Sequence, residues 1–168
     1  MKKIGLISDT HGYLNERLFA FFAEVDEIWH AGDIGSIEVT DGLAAFKPLK
    51  AVYGNIDGAG IRTVFQGRQR FFCEETEVLM THIGGYPGHY DRNIRDVLFA
   101  NPPGLFISGH SHILKIIYDR KLNLLHLNPG AAGMKGFHKV CTALRFTIAG
   151  KEIKEMEIWE FQKKTSIL

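Results

Sequence analysis

The 168-residue sequence has only two cysteines, almost no net charge and no long hydrophobic run. Cys73 and Cys141 lie far apart and match no CxxC pattern, which argues against a disulfide framework and favours free thiols in a reducing compartment. No stretch approaches the roughly 20 apolar residues that a membrane span needs, and the N-terminal apolar run is too short for a signal peptide. We therefore expect a soluble, cytoplasmic protein that does not engage a membrane.

The charges are balanced, with 20 lysines and arginines against 19 aspartates and glutamates and a formal net charge of +1. This balance does not indicate a nucleic-acid surface or a basic membrane-binding face. Any preference for anionic ligands must therefore come from a local site. The length and the 45% hydrophobic content are ordinary for one soluble domain, which we expect to span residues 1–168.

The first third of the chain alternates short apolar runs with amphipathic segments. The apolar runs predict strands at 4–8, 27–30 and 49–53. Apolar residues at helical spacing predict helices at 14–25 and 36–46. This β-α-β-α-β order favours a parallel sheet with crossover helices.

The remainder of the chain is richer in predicted strands and has one predicted helix, at 91–99. The strands are predicted at 62–65, 70–73, 78–82, 105–108, 114–118, 122–127, 140–148 and 153–161. Turn residues at 121–123 and 149–151 predict two hairpins. The fold class that follows is α/β, with two packed sheets forming a β-sandwich flanked by helices.

Polar side chains follow the ends of five predicted strands. The residues at these ends are Asp9, His11, Asp33, Asn55, His82, His110 and His112. In open α/β sheets, ligands bind beyond the carboxyl ends of the strands, so we expect these side chains to meet at one edge. Capping residues and unrelated core histidines would not fall at strand ends so regularly.

Carboxylate, amide and imidazole ligands in this mixture suit manganese, iron, nickel or zinc better than calcium or magnesium. Seven ligands exceed the needs of one tetrahedral ion and fit two ions that share a bridging carboxylate. Two divalent ions would bring four positive charges. Asp9, Asp33 and a bridging hydroxide would together cancel about three of them, which leaves a net charge of about +1. A site of this kind favours an anionic substrate such as a phosphate ester.

The order of these motifs resembles that of the calcineurin-like metallophosphoesterases. The matching motifs, in family order, are D-x-H (Asp9, His11), G-D (Gly32, Asp33), G-N-x-D (Gly54, Asn55, Asp57), the strand-end His82, and G-H-x-H (Gly109, His110, His112). The short length and the Asn128-Pro129-Gly130 turn are similar to the compact single-domain phosphodiesterase branch of this family. The resemblance implies two divalent ions per chain, with manganese as the first choice and iron, nickel or zinc as alternatives.

The resemblance also implies a role for each ligand. Asp9, His11 and His112 would bind the first ion, Asn55, His82 and His110 would bind the second, and Asp33 would bridge both. Asp33, Asn55 and His82 are the residues expected to be catalytic, with a metal-bridging hydroxide as the nucleophile.

One departure from the family pattern concerns Ile56. Many larger relatives carry at this position a histidine that is a candidate general acid, and isoleucine cannot donate a proton. Its absence could slow the hydrolysis of esters with poor leaving groups by on the order of 10²–10⁴-fold. The compact branch often lacks this histidine too, so Ile56 argues for different substrates more than for inactivity.

Other polar residues outside the ligand set have less specific interpretations. The glycine-rich segment 84–90 is expected to lie over the site, and its His89 is a candidate substrate-binding residue and substitute proton donor. Asn128 is a second candidate for contact with substrate. His126 and His138 are interpreted as structural or exposed histidines.

The primary hypothesis is therefore a metal-dependent phosphoric ester hydrolase, most simply a phosphodiesterase, whose partner is a small phosphate ester. The alternative is a non-catalytic scaffold on the same fold, for which the retromer's small phosphoesterase-like subunit is a precedent. A metal-binding module without phosphate chemistry is a third option, although thiolate-rich metal buffers have a different ligand set. Homo-oligomerisation is left open.

Overall fold

A computed structural model of the chain describes residues 1–164. The elements in chain order are β1 (Lys2–Ile7), α1 (Arg17–Phe21), β2 (Glu27–His30), α2 (Ile37–Phe46), β3 (Leu49–Ala51), α3 (Ala59–Arg62), β4 (Arg68–Cys73), β5 (Thr76–Thr81), β6 (Gly85–Tyr86), β7 (His89–Tyr90), α4 (Arg92–Ala100), β8 (Leu105–Ile107), β9 (Leu114–Asp119), β10 (Leu124–Pro129), β11 (Val140–Ala149) and β12 (Glu152–Gln162). Across this range, the helices are too short or too polar to cross a bilayer.

The strands form two five-stranded sheets and one small hairpin. The first sheet has the order β12-β11-β1-β2-β3 and the second has the order β4-β5-β8-β10-β9. As the alternating pattern predicts, β1, β2 and β3 are parallel, and β11 adds to β1 in antiparallel pairing. In the second sheet, β8 runs parallel to β5 and β10, each of which also belongs to an antiparallel hairpin.

The side chains that alternate along each strand divide the core into layers. Ile4 and Leu6 of β1 share one buried cluster with Val78 and Met80 of β5, so this cluster lies between the two sheets. Burying four such side chains contributes on the order of 1.5–3 kcal/mol each. The inter-sheet layer is therefore what holds the two sheets, and hence their strand ends, together.

The outer faces of the sheets are covered by helices. Ile7, which alternates with Leu6, packs with Leu18 of α1 and Leu43 of α2. Leu79, which alternates with Val78, packs with Leu98 of α4 in a separate cluster. The arrangement is helix, sheet, sheet, helix, which confirms the prediction of an α/β fold with two packed sheets and flanking helices.

Two local predictions are wrong. Residues 62–65, predicted as a strand, are the end of α3 and the turn after it, because Ile61 and Phe65 reach the same cluster from helical spacing and the Phe65 N–H donates to the Ile61 carbonyl at 3.0 Å. The helix predicted at 14–25 shortens to α1. Its start is displaced by a turn in which Asn15 Oδ1 accepts the N–H of Arg17 at 3.0 Å.

Candidate metal centre

The seven predicted ligands all lie in loops that follow the carboxyl ends of strands. In chain order, Asp9 and His11 follow β1, Asp33 follows β2, Asn55 follows β3, His82 follows β5, and His110 and His112 follow β8. The first three of these strands belong to the first sheet, whereas β5 and β8 belong to the second. The site is therefore built across the sandwich, and its geometry depends on how the two sheets pack.

The carboxylate and imidazole side chains form two groups, in each of which the candidate ligand atoms lie within 4.8 Å of one another. We call Asp9, His11 and His112 the first group, and Asp33, His82 and His110 the second group. Asn55 adjoins the second group, because its Oδ1 lies 3.0 Å from Nδ1 of His110. That separation matches two neighbouring ligand atoms on one ion with bonds of about 2.1 Å.

The two groups share a border formed by the carboxylates. Oδ2 of Asp33 lies 3.2 Å from Nε2 of His82 in its own group and 3.6 Å from Nε2 of His11 in the other. Oδ1 of Asp9 lies 3.2 Å from Nε2 of His112 and 3.8 Å from Nε2 of His82. A carboxylate between the groups is the arrangement that a bridging ligand requires.

Several buried polar atoms in this centre lack a well-oriented hydrogen bond within residues 1–164. They are Oδ1 of Asp9, Nε2 of His11 and Nε2 of His82. Buried polar atoms of proteins nearly always have a partner, so such a cluster needs an explanation. All three can offer a lone pair to one shared space, and a bound cation would satisfy them together. The residues present therefore fit the divalent ions that the ligand types suggest.

Hydrogen bonds on the far side of the ligands fix which atom faces the centre. Nδ1 of His82 lies 2.8 Å from the carbonyl oxygen of Ala31 and must carry the proton to donate to it, which leaves the lone pair on Nε2. Oδ2 of Asp9 accepts the hydroxyl of Ser8 at 2.7 Å and the backbone N–H of His110 at 3.1 Å. Oδ1 of Asp9 is thereby left for an ion.

The electrostatics keep both carboxylates ionised. Burial raises the pKa of Asp9, but the neighbouring imidazoles of His11 and His112 outweigh burial and hold this pKa well below its usual range. Burial likewise raises the pKa of Asp33, but the neighbouring imidazole of His82 outweighs it, so that this pKa is lowered. For His82, burial lowers the pKa, and the neighbouring carboxylates of Asp33 and Asp9 raise it by more, so that the net shift is upward. A metal ion would therefore compete with a proton at His82.

The backbone at the ligands is unusual. Five of the seven have positive φ angles: Asp9 (53°), His11 (47°), Asp33 (53°), His110 (70°) and His112 (60°). This left-handed region costs a non-glycine residue on the order of 1–3 kcal/mol, although aspartate and histidine tolerate it better than most. Strain concentrated in one place indicates a functional constraint, because packing alone would not select it.

Asp57, the final acid of the G-N-x-D motif, ties two ligand loops together. Its carboxylate accepts the backbone N–H of Ile34 at 3.1 Å, of Gly35 at 2.9 Å and of Gly54 at 2.7 Å. The first two lie beyond Asp33 and the third precedes Asn55. This carboxylate therefore sets the distance between the loops after β2 and β3.

His30 performs a similar task beneath the centre. It is fully buried, Nδ1 accepts the N–H of Gly32 at 3.1 Å, and Nε2 lies 3.0 Å from the hydroxyl of Thr10. Burial lowers the pKa of His30 to about 4, so the ring is neutral at neutral pH. His30 joins the loop after β1 to the loop after β2 and is a structural residue of the site.

The two residues predicted to bind substrate occupy different environments. Asn128 is buried, and its Nδ2 donates to the Gly109 carbonyl at 3.0 Å and to Ser111 Oγ at 3.1 Å. It thus shapes the turn that carries His110. His89 is exposed on the β6-β7 hairpin, with its ring 4.9 Å from that of Tyr86. A contact of either residue with substrate stays a prediction.

One cation near the site was not singled out by the sequence. Arg62 lines a cleft with Tyr53, Asn55 and His82 beside the second group. Its Nε donates to the Asp57 carbonyl at 2.5 Å, and its guanidinium lies 4.5 Å from the centre of the Tyr53 ring. Nothing in the amino-acid pattern indicates this placement, since Arg62 falls at the start of a wrongly predicted strand.

Comparisons of the sequence with known proteins identify relatives. A family model described as the calcineurin-like phosphoesterase superfamily domain matches residues 1–151. A probable metallophosphoesterase of Methanothermobacter thermautotrophicus is 34% identical in an alignment of 137 residues, and the match covers 76% of this chain and 76% of the relative.

Comparisons of the structure agree on the fold. A solved structure described as a novel archaeal phosphodiesterase superposes with a TM-score of 0.74 and 21% identity, covering 94% of this chain and 99% of that one. Vps29 of Chaetomium thermophilum superposes with a TM-score of 0.74 and 13% identity, covering 98% of this chain and 100% of its own. At these identities the likeness shows the fold alone.

Proposed function

Because this chain belongs to the calcineurin-like phosphoesterase superfamily, we propose that it is a phosphodiesterase that works with two divalent metal ions. The observation that carries the proposal is the pair of adjoining ligand groups, with Oδ2 of Asp33 within 3.6 Å of an imidazole nitrogen from each. Bound ions would supply Lewis-acid stabilisation of the phosphate oxygens and lower the pKa of a coordinated water. Manganese is our first choice, with iron, nickel or zinc as alternatives.

The protein's own contribution is to hold the ligands in place. Asp33 would keep the two ions at a fixed separation, and its Oδ1 is anchored by the backbone N–H of Ile56 at 3.1 Å. Asn55 and His82 would complete the second ion's ligand set and orient the phosphate, and we assign them with Asp33 to the catalytic machinery. Pre-organisation of this kind lowers the cost of reaching the transition state.

The substrate class follows from the side chain of Ile56. It is 47% exposed beside Asn55 and offers no proton to a leaving group. Arg62 in the neighbouring cleft adds a positive charge that can balance negative charge on a bound phosphate ester. Esters whose leaving group departs without protonation should therefore react best, and His89 is our candidate for a substitute acid.

A non-catalytic scaffold on the same fold is the second candidate. It is favoured by large apolar side chains that stay exposed beside the ligand loops, namely Ile56 at 47%, Ile113 at 57% and the fully exposed Phe137. Exposed apolar groups of this kind occur at docking surfaces. We place this candidate second because a docking surface alone does not require buried, unpartnered ligand atoms.

The deciding experiment compares hydrolysis of bis-p-nitrophenyl phosphate and p-nitrophenyl phosphate with added Mn²⁺. The wild type is expected to prefer the diester, and Asp33→Asn and Asn55→Ala are expected to lose activity. Asp41→Asn makes the same chemical change at an exposed carboxylate of α2 and should retain full activity. A folded, metal-loaded wild type that hydrolyses neither ester with manganese, iron, nickel or zinc would move the assignment to the scaffold.

A further inference from the structure

His138 has a buried ring nitrogen and does not belong to the predicted ligand set. Its Nδ1 is buried and has no hydrogen-bond partner within residues 1–164. Its Nε2 lies 2.8 Å from the carbonyl oxygen of Gly133 and must carry the proton to donate to it. A neutral imidazole has one protonated nitrogen, so Nδ1 of His138 carries a lone pair that the surrounding protein leaves free.

The candidate ligand His112 would carry a ring N–H that requires an acceptor. Its Nε2 faces the first group, 3.2 Å from Oδ1 of Asp9. When Nε2 binds an ion, Nδ1 must carry the proton, and metal-bound histidines almost always donate this second N–H to an acceptor. The rings of His112 and His138 meet edge to face, with centroids 5.1 Å apart and an interplanar angle of 84°.

Gly136 shows that the two Nδ1 atoms border the same space. A Cβ at this residue would lie 2.4 Å from Nδ1 of His112 and 3.0 Å from Nδ1 of His138. The φ angle of Gly136 is 118°, which other residues rarely adopt. The chain therefore keeps side-chain atoms out of the space between the two nitrogens, where a small ring rotation or one water molecule would complete a hydrogen bond.

The loop that carries Gly136 and His138 is also tied to the backbone of Asp9, the carboxylate residue of the first group. The N–H of Gly133 donates to the carbonyl of Asp9 at 3.0 Å, while the Gly133 carbonyl accepts from His138. We propose that His138 is a positioning residue whose Nδ1 accepts the Nδ1–H of His112 and so fixes the tautomer and orientation of this ligand for the first ion. The inference rests on the proposed metal centre but not on the reaction it performs.

A matched pair of variants tests the role of each nitrogen. The amide oxygen of asparagine can occupy the place of Nδ1, so His138→Asn retains an acceptor for His112 and loses the bond to Gly133. The amide of glutamine reaches the place of Nε2, so His138→Gln retains the bond to Gly133 and loses the acceptor. Affinity for Zn²⁺ would be measured by competition with a chromophoric chelator, with the second group's ion as the internal reference.

We expect His138→Gln to bind the first ion on the order of 10- to 100-fold more weakly than the wild type, and His138→Asn to stay close to the wild type. A merely structural role predicts the reverse order, because only glutamine preserves the bond to Gly133. As a second readout, nitrogen-15 spectra of zinc-loaded protein should show a slowly exchanging ring N–H in the wild type and His138→Asn, and lose it in His138→Gln.

The outcomes are distinguishable from failure of the proposed function. A wild type that binds no zinc at all would remove the metal centre itself. A wild type that binds two ions, with His138→Gln equal to it or His138→Asn as weak as His138→Gln, would overturn the role of His138 and leave the metal centre standing.

Discussion

The two ligand groups differ in how firmly the protein holds them before any ion arrives. In the first group, Asp9 is fully buried, and His112 packs between the rings of His11 and His138. In the second group, His82 is buried and fixed through Ala31, but His110 is exposed. Nδ1 of His110 lies 3.0 Å from Oδ1 of Asn55, and its ring meets that of His82 edge to face, with centroids 5.3 Å apart.

The centre therefore combines a first group that is held firmly with a second group that contains an exposed histidine. Side chains that packing and hydrogen bonds already hold lose little conformational freedom when they bind an ion. The first group should therefore bind its ion more tightly than the second group does. The second ion should therefore be the one that exchanges more easily.

Replacing a single histidine in either group should cause the largest loss of activity. His112→Ala and His110→Ala should each reduce the number of bound ions from two to one and lower diesterase activity by roughly 10³-fold, since several kcal/mol of transition-state stabilisation depend on both ions. Bound metal would be counted by elemental analysis, and activity would be followed with bis-p-nitrophenyl phosphate.

The same two variants should also differ in their free energy of unfolding. Both histidines have positive φ angles, so the backbone cost of alanine is similar in the two. His112→Ala loses two ring contacts, with His11 and His138, whereas His110→Ala loses one, with His82. The metal-free His112→Ala should therefore be less stable than metal-free His110→Ala by about 1 kcal/mol. Equal unfolding free energies in urea would show that the first group is no better supported than the second.

A smaller effect is expected from Gly136→Ala, which acts on one group alone. The new Cβ would lie 2.4 Å from Nδ1 of His112 and push this ligand from its position. We expect affinity for the first ion to fall by on the order of 100-fold, within the range seen when the support of a ligand is lost. Affinity for the second ion should be unchanged in a two-step zinc titration.

Gly88→Ala is the matched control for that variant. Gly88 also has a positive φ, 85°, but a Cβ there meets nothing within 4 Å, so alanine adds backbone strain without displacing a ligand. Both variants should lose some folding stability, and only Gly136→Ala should lose metal affinity. A loss shared equally by both ions, or by both variants, would mean that strain and not His112 is responsible.

The predictable part of this molecule is what the backbone pattern determines. Runs of apolar residues that end in Asp, Asn or His predict strands, and the structure places the candidate ligands in loops after strand ends, because the carboxyl ends of parallel strands share one edge. The pairing of β1 with β11, which are far apart in the chain, has no local signal. The turn after α3 was missed for a related reason, since Ile61 and Phe65 suit a strand or a helix until the cluster they join is known.

The supporting residues were harder to foresee than the ligands. His138 looks like any other histidine in the sequence, and only its ring contacts in the folded chain show what it holds. Such contacts join residues from distant loops, so their partners are fixed by packing of the two sheets and not by spacing along the chain. A ligand motif can be recognised from neighbouring residues in the sequence, whereas the residues that support a ligand are brought to it by the tertiary structure.

A last comparison distinguishes the metal groups from the core as the source of acid sensitivity. His126 is fully buried in the second sheet, and burial lowers its pKa to about 4. Its Nδ1–H donates to the Phe106 carbonyl at 3.2 Å, while Nε2 has no partner within residues 1–164. The ring is therefore neutral in the folded protein at a pH where it is charged in the unfolded chain.

The sign follows from proton binding. Between its ordinary pKa of about 6.5 and about 4, the unfolded state binds more protons at this residue, so its contribution to stability is complete above pH 6.5 and is lost as the pH falls towards 4. His126→Asn preserves a donor to Phe106 and does not titrate. Urea unfolding with a chelator present should show that the wild type loses about 2 kcal/mol more than this variant between pH 7 and pH 4.5. Parallel losses in the two proteins would place the acid sensitivity elsewhere, with the histidines of the two ligand groups as the next residues to replace.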